Sequence, residues 1–157
     1  MSDELRQLGR ELRQELTEGI LPYWLERAVD QRHGGFVGYI TGDEVVRDDD
    51  PKGSILNARI LWTFSAAYRA LGVEKYRAAA DRAADYIHAH FVDPEHRGVY
   101  WMVDARGAPL DARKHIYAQA FALYGLSEHA RATRCARSLE SAIELYHLIE
   151  RHAADRV

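Results

Sequence analysis

The sequence contains one cysteine, Cys135, in 157 residues. It has no second thiol for an internal disulfide or a cysteine-held metal cluster, which predicts a reducing compartment. Long apolar runs are also missing. None approaches the roughly 18 to 20 residues that a membrane-spanning helix needs, and the opening Met1-Ser2-Asp3-Glu4 lacks the basic-then-apolar order of a signal peptide. Together these absences predict a cytoplasmic protein with no membrane partner. There is no excess charge of one sign either: 21 basic and 24 acidic side chains leave a net charge of −3, which excludes the basic footprint of a nucleic-acid binder. No His-Glu-x-x-His, phosphate-binding loop or dinucleotide fingerprint occurs, so no metal and no cofactor is implied. What remains is 47% apolar and 29% charged residues, the composition of a folded domain over residues 1–157. A domain of this size buries roughly two-thirds of its unfolded surface.

Leu5, Leu8, Leu12, Leu16 and Ile20 recur every three or four residues. That spacing predicts a one-faced helix from about Asp3 to Arg27, kinked or split near Ile20 by Pro22. A turn over Asp30–Phe36, a strand-like run at Val37, Tyr39 and Ile40, and a loop through Asp48-Asp49-Asp50 follow, with Ser54 as the expected cap of the next helix. From Ile55 to Leu71 apolar residues cover most of the circumference, which predicts a buried helix ended by Gly72. Glu74–Phe91 has a single apolar face, that of an outer helix. The pattern then returns: a turn, a hairpin with its tip at Asp104–Gly107, a mostly apolar helix from about Ala112 to Arg131 capped by Asp111, and a striped helix from about Arg134 to His152. Leu139, Ala142, Ile143, Tyr146 and Ile149 form that last stripe. The break between the two final helices rests on Thr133 alone.

The turn motif itself repeats. Asp30-x-x-His33-x-Gly35 recurs 63 residues later as Asp93-x-x-His96-x-Gly98, each copy followed by a hairpin, a buried helix and an outer helix. Asp155 stands 62 residues beyond Asp93, so a third turn is expected from there. Such units build a helical solenoid or an α/α toroid, whose inner helices face a central cavity, and polar residues within the inner segments are where chemistry is expected.

Two clusters qualify. Asn57 and Arg59 sit in the first inner segment, and Lys114, His115, Tyr117 and Gln119 in the second. A guanidinium in an apolar helix requires a carboxylate or a water-filled cavity, so Arg59 is either a structural ion pair or a cavity residue. Tyr117, taken alone, reads first as a core tyrosine with a satisfied hydroxyl. His115 and Gln119 are four apart, hence on one helical face, where they read as joint partners of a sugar hydroxyl or as buried hydrogen-bonded groups. His33 and His96 read as hairpin-fixing residues, and His88 and His90, two apart, make no chelate. Phe36, Tyr39, Tyr100 and Trp101 suit either sugar stacking or core packing.

Ile55-Leu56-Asn57-Ala58-Arg59-Ile60-Leu61-Trp62-Thr63-Phe64, His33-Gly34-Gly35-Phe36, Gly98-Val99-Tyr100-Trp101 and Lys114-His115-Ile116-Tyr117-Ala118-Gln119 together resemble the N-acylglucosamine 2-epimerase superfamily over essentially the whole chain. The resemblance implies an all-α fold, a partial α/α toroid comprising about two and a half of six helical hairpins. It also implies epimerisation of a small-molecule mono- or disaccharide at C2 of its reducing-end sugar. In that chemistry the ring opens, a histidine removes the C2 proton to give an enediol, and the proton returns on the opposite face. Arg59 would stabilise the enediolate oxygens and Tyr117 would orient the same region, with Asn57, His115 and Gln119 as substrate-binding positions. The family's catalytic histidines match no position here. The expectation is therefore a truncated, by itself inactive form whose open side favours self-association. A non-catalytic scaffold or carbohydrate-binding fragment, and half of a barrel completed by another chain, fit the same residues.

Overall fold

A computed structural model describes residues 2–153, so the third turn expected at Asp155 lies outside the described residues. Helix α1 (Asp3–Gln14) runs through a π-helical stretch, Glu15–Ile20, into α2 (Leu21–Arg27). The backbone N–H of Leu21 reaches back to the carbonyl of Leu16, so the rod widens one turn before Pro22 and continues where a break was expected. A proline ring crowds the carbonyl four residues earlier, and the extra residue of a π turn relieves that contact.

Two units of the same plan follow. In the first, β1 (Tyr39–Ile40) pairs antiparallel with β2 (Val46–Arg47), and β3 (Lys52–Gly53) leads into α3 (Ser54–Leu71) and α4 (Glu74–Tyr86), which ends in a π turn at Ile87–Phe91. In the second, β4 (Met102–Val103) and β5 (Pro109–Asp111) form the hairpin, followed by α5 (Ile116–Thr133) and α6 (Ala136–Ala153). The β3 strand, expected as loop, pairs with β4 and makes a three-stranded sheet across the two units. Helix α3 packs against both α4 and α5, and α6 closes over α5. Helices α3 and α5 approach closely: a Cβ added at Gly125 would lie 2.6 Å from the Ala58 carbonyl oxygen.

Both units fasten their turn in the same way. The Asp30 Oδ1 accepts the N–H groups of Arg32 and His33, each at 2.8 Å, while Lys52 Nζ donates to Oδ2 at 2.7 Å. In the second unit Asp93 accepts the N–H groups of Glu95 and His96, and Lys114 Nζ donates to it at 2.8 Å. Each ammonium also lies over a tyrosine ring, Tyr86 at 4.6 Å and Tyr100 at 4.1 Å. The repeated turn therefore uses the histidine backbone, and its partner is a lysine on the far side of the hairpin. Burial opposes ionisation of Asp30, but the Lys52 ammonium and the two N–H groups outweigh it and hold the carboxyl below its usual range.

Several local expectations are corrected. Gly53, not Ser54, is the cap position of α3; the Ser54 hydroxyl donates to the Trp101 carbonyl at 3.1 Å. Helix α5 starts at Ile116, with His115 extended at the cap position; residues 112–115 form no helical turn, and from there Lys114 reaches Asp93. Asp111 ends β5 and binds Arg113 instead. The α6 stripe packs only in part: its member Ala142 is buried together with Ser138 and Leu145, whereas Leu139, Ile143 and Tyr146 are about half exposed. Ala142 and Leu145 stand 62 residues after Ala80 and Ala83, the buried row of α4, so both outer helices turn the same face inward. Helix α1 buries none of its leucines. The break between α5 and α6 does form, with Arg134 in the left-handed region at φ 61° and Thr133 Oγ1 donating to the His129 carbonyl.

Arg97 also lies in the left-handed region, at φ 62°, where the equivalent residue of the first turn is Gly34. Its exposed contact to Glu144 at 3.6 Å is weak. Arg97→Gly is expected to stabilise the chain by about 1 kcal/mol, read as a higher urea midpoint at unchanged slope.

Candidate active-site wall

The exposed side of α3 and that of α5 form one continuous surface. On α3 it carries Arg59, Trp62 and Thr63, spaced three and four apart, and on α5 it carries Tyr117, Phe121 and Tyr124 at the same spacing. These six residues line a hollow of about 420 Å³. Trp62 and Tyr124 stack across the helix boundary with ring centroids 5.0 Å apart and planes 11° from parallel. Tyr117 meets Phe121 edge-on at 4.8 Å. The floor is thus a ladder of aromatic rings, and the polar groups above it are the Arg59 guanidinium, the Tyr117 hydroxyl and the Thr63 hydroxyl.

Arg59 is exposed and joins none of the ion pairs formed among the described residues. Of its two readings, the cavity residue is the one this geometry agrees with. Tyr117 is 62% exposed in the first turn of α5, and so is not a core tyrosine here. A cation beside apolar rings suits a ligand that carries oxygen atoms with negative charge and flat C–H faces.

The other three candidates lie elsewhere. Asn57 is fully buried; its Nδ2 donates to the Gly53 carbonyl at 2.9 Å, closing the start of α3, and its Oδ1 has no hydrogen-bond partner among the described residues. Gln119 is also fully buried. Its Oε1 accepts from the Val99 N–H at 2.7 Å and its Nε2 donates to the Val99 carbonyl at 2.8 Å, so the amide completes a strand-like pair with the second turn. His115 is exposed at the helix start, its ring 4.5 Å from that of Trp101. His115 and Gln119 therefore do not share a face, because the helix begins after His115. Gln119→Leu leaves both Val99 groups buried and unpaired, and is expected to cost about 3 kcal/mol in urea unfolding. An unchanged midpoint would contradict that structural role.

The aromatic residues near the turns divide too. Phe36 is buried and packs on Phe64 at 6.2 Å, Tyr100 lies under Lys114, and Tyr39 is exposed. Trp62 and Tyr124 are the floor residues that sequence reasoning passed over; the signal available was their three-residue and seven-residue distance from Arg59 and Tyr117 on helices of matching period.

A sequence model of the N-acylglucosamine 2-epimerase (GlcNAc 2-epimerase) family matches residues 34–157, which includes every residue of this wall. The chain belongs to the N-acylglucosamine 2-epimerase family. Within it, a cellobiose 2-epimerase of Bacteroides fragilis is 55% identical over 148 residues, covering 94% of this chain and 38% of that protein. The human N-acylglucosamine 2-epimerase is 28% identical over 144 residues, covering 88% of this chain and 32% of its own length. Among solved structures, the cellobiose 2-epimerase from Spirochaeta thermophila superposes with a TM-score of 0.93 at 38% identity, over 98% of this chain and 38% of that one. The chain thus spans about 38% of the cellobiose 2-epimerases it matches and has their architecture over that span. The partial α/α barrel expected of the family is the observed fold.

Proposed function

We propose that this chain supplies one wall of the sugar cavity of a carbohydrate 2-epimerase acting on the reducing end of cellobiose or a similar disaccharide. The observation that carries the reading is the convergence of Arg59 and Tyr117 on one aromatic-floored hollow. Removing the C2 proton of an open-chain aldose places negative charge on its oxygens, and an unpaired guanidinium held at the cavity wall stabilises that charge. Tyr117 orients the same oxygens. The family's catalytic histidines have no matching position among these residues, and the chain by itself is expected to be inactive. Cellobiose is favoured over N-acyl sugars because the relatives of 40–55% identity are cellobiose 2-epimerases while the N-acylglucosamine 2-epimerases are 25–28% identical. The reading calls for no cofactor, nucleic acid or membrane, and for a cytoplasmic setting; the balanced charge, the single cysteine and the lack of any helix among the described residues long and apolar enough to cross a membrane support it. The uncovered faces of α1 and α6 support self-association of the isolated chain.

The test is a chimera in which residues 1–157 replace the matching segment of the Bacteroides fragilis enzyme. Incubated with cellobiose in D2O, the chimera is expected to place deuterium at C2 and form the mannose-configured epimer. A folded chimera that performs no exchange overturns the proposal.

A further inference from the structure

A polar chain lies between the two units, away from the sugar wall. His129, near the end of α5, has its Nε2 2.9 Å from Asp81 Oδ1 on α4 and its Nδ1 2.8 Å from Ser138 Oγ on α6. The Nε2 of His88, in the π turn after α4, is 3.5 Å from the same hydroxyl. Ser138 is fully buried and His129 is 2% exposed. The order Asp, His, Ser matches a hydrolytic triad, but a hydroxyl sealed from solvent reaches no substrate, so this is not a nucleophile.

The repeat does not carry this chain. At a distance of 62 residues, Asp81 corresponds to Ile143, His88 to Glu150, His129 to Ala67 and Ser138 to Tyr76. The architecture is thus built elsewhere without these groups, and burying polar groups where apolar ones suffice has a desolvation cost. The hydrogen count defines what the chain can hold. With both imidazoles neutral, His88 donates to the serine, the serine donates to His129 Nδ1, and His129 Nε2 donates to Asp81. A proton on His129 turns the serine O–H toward His88, which then accepts. A second proton leaves the serine between two N–H donors, with two cations in one buried contact.

The charged groups around His88 are Asp85 beside it on α4 and Arg137 on α6, the imidazole of His129 faces it from α5, and Arg77 lies 3.6 Å from Asp81. Burial first, and then Arg137, push the His88 imidazole down to about 4, against Asp85.

We propose that this chain is a proton-sensitive joint: neutral, it fastens α4 to the corner of α5 and α6, and in mildly acidic solution it opens and loosens one repeat from the next. Because the folded state holds His88 neutral while the unfolded state titrates it near 6.5, the stabilisation is complete above that pH and is lost as the pH falls toward about 4. The inference is independent of the sugar chemistry.

Urea unfolding and amide hydrogen exchange of the 157-residue chain between pH 7.5 and 4.5 test it. The difference in stability between pH 7 and pH 5 is expected to fall to less than half in His88→Gln, and to stay at the wild-type value in the exposed control His152→Gln. At pH 5, amides of the end of α4 and the start of α6 are expected to exchange before those of α3. A wild-type pH slope in His88→Gln, or simultaneous loss of protection throughout, overturns the joint. Should His88→Gln fail to fold, the imidazole nitrogen shifts of the wild type decide: a His88 midpoint at its ordinary value near 6.5 overturns the proposal, and one below 5 supports it.

Discussion

Arg59→Ala in the chimera with the Bacteroides fragilis enzyme is expected to lower kcat/KM for C2 exchange by 10²- to 10³-fold, about 3–4 kcal/mol of lost transition-state stabilisation. Unfolding of the same variant should stay within about 0.5 kcal/mol of the parent. The two expectations separate because of where the residue stands. Arg59 is exposed on the hollow and forms none of the ion pairs among the described residues, so its removal orphans no carboxylate. Were it the structural ion pair that sequence reasoning held open, the variant would lose stability and activity together. Lys at this position is expected to restore only part of the rate, because an ammonium lacks the planar fork that addresses two oxygens at once.

Asp30→Ala is expected to have the largest effect on stability, a loss of about 3–5 kcal/mol in urea unfolding. Asp30 and Lys52 are 1% and 0% exposed, and the lysine also donates to the Gly34 carbonyl at 2.7 Å. Removing the carboxylate leaves an ammonium in the core and frees two turn N–H groups. Arg82 reinforces the same turn, donating to the carbonyls of Gly35 and Asp30, so the damage extends to α4. Lys114→Met in the second unit is expected to cost less, because the carboxylate it leaves on Asp93 keeps the N–H groups of Glu95 and His96 and no ammonium is left buried. Replacing Asp30 by Asn together with Lys52 by Met should recover much of the loss, since most of it is the penalty of an unpaired buried charge. The carboxyl of Asp30 titrates below its ordinary value in the folded chain, so its contribution is complete above about pH 4 and disappears as the pH falls through the folded value. That window lies below most of the one governed by His88, and a stability profile with two acid limbs follows.

Local patterning made much of the fold legible. The buried row of α4, the left-handed end at Gly72 and the hairpin tip at Asp104–Gly107 all come from near neighbours in the chain, whose spacing carries the information. The stripe of α6 misled in part because the helix has two adjoining apolar rows: Ala142 of the expected stripe is buried with Leu145, while Leu139, Ile143 and Tyr146 are not, and periodicity alone does not say which side of the stripe meets α5. The cap of α5 misled for a different reason: Asp111 is a good cap locally, but it closes β5 and binds Arg113, and Lys114 reaches Asp93, 21 residues away, before the helix begins. Arg59 and Tyr117 were recognisable as polar residues in apolar inner segments, whereas the roles of Asn57 and Gln119 depended on which backbone groups stood opposite them.

By itself the sequence determined the repeat and the alternation of inner and outer helices, which are written in spacing along single segments, while the family was legible in four motifs taken together. Only the tertiary structure decided that Gln119 serves the second turn, that Trp62 and Tyr124 make the floor, and that Asp30 meets Lys52 and Asp81 meets His129. Those pairings join residues 20 to 62 positions apart, and a buried polar atom takes as its partner whichever group the packing of helices leaves within 3 Å, a choice no local period encodes.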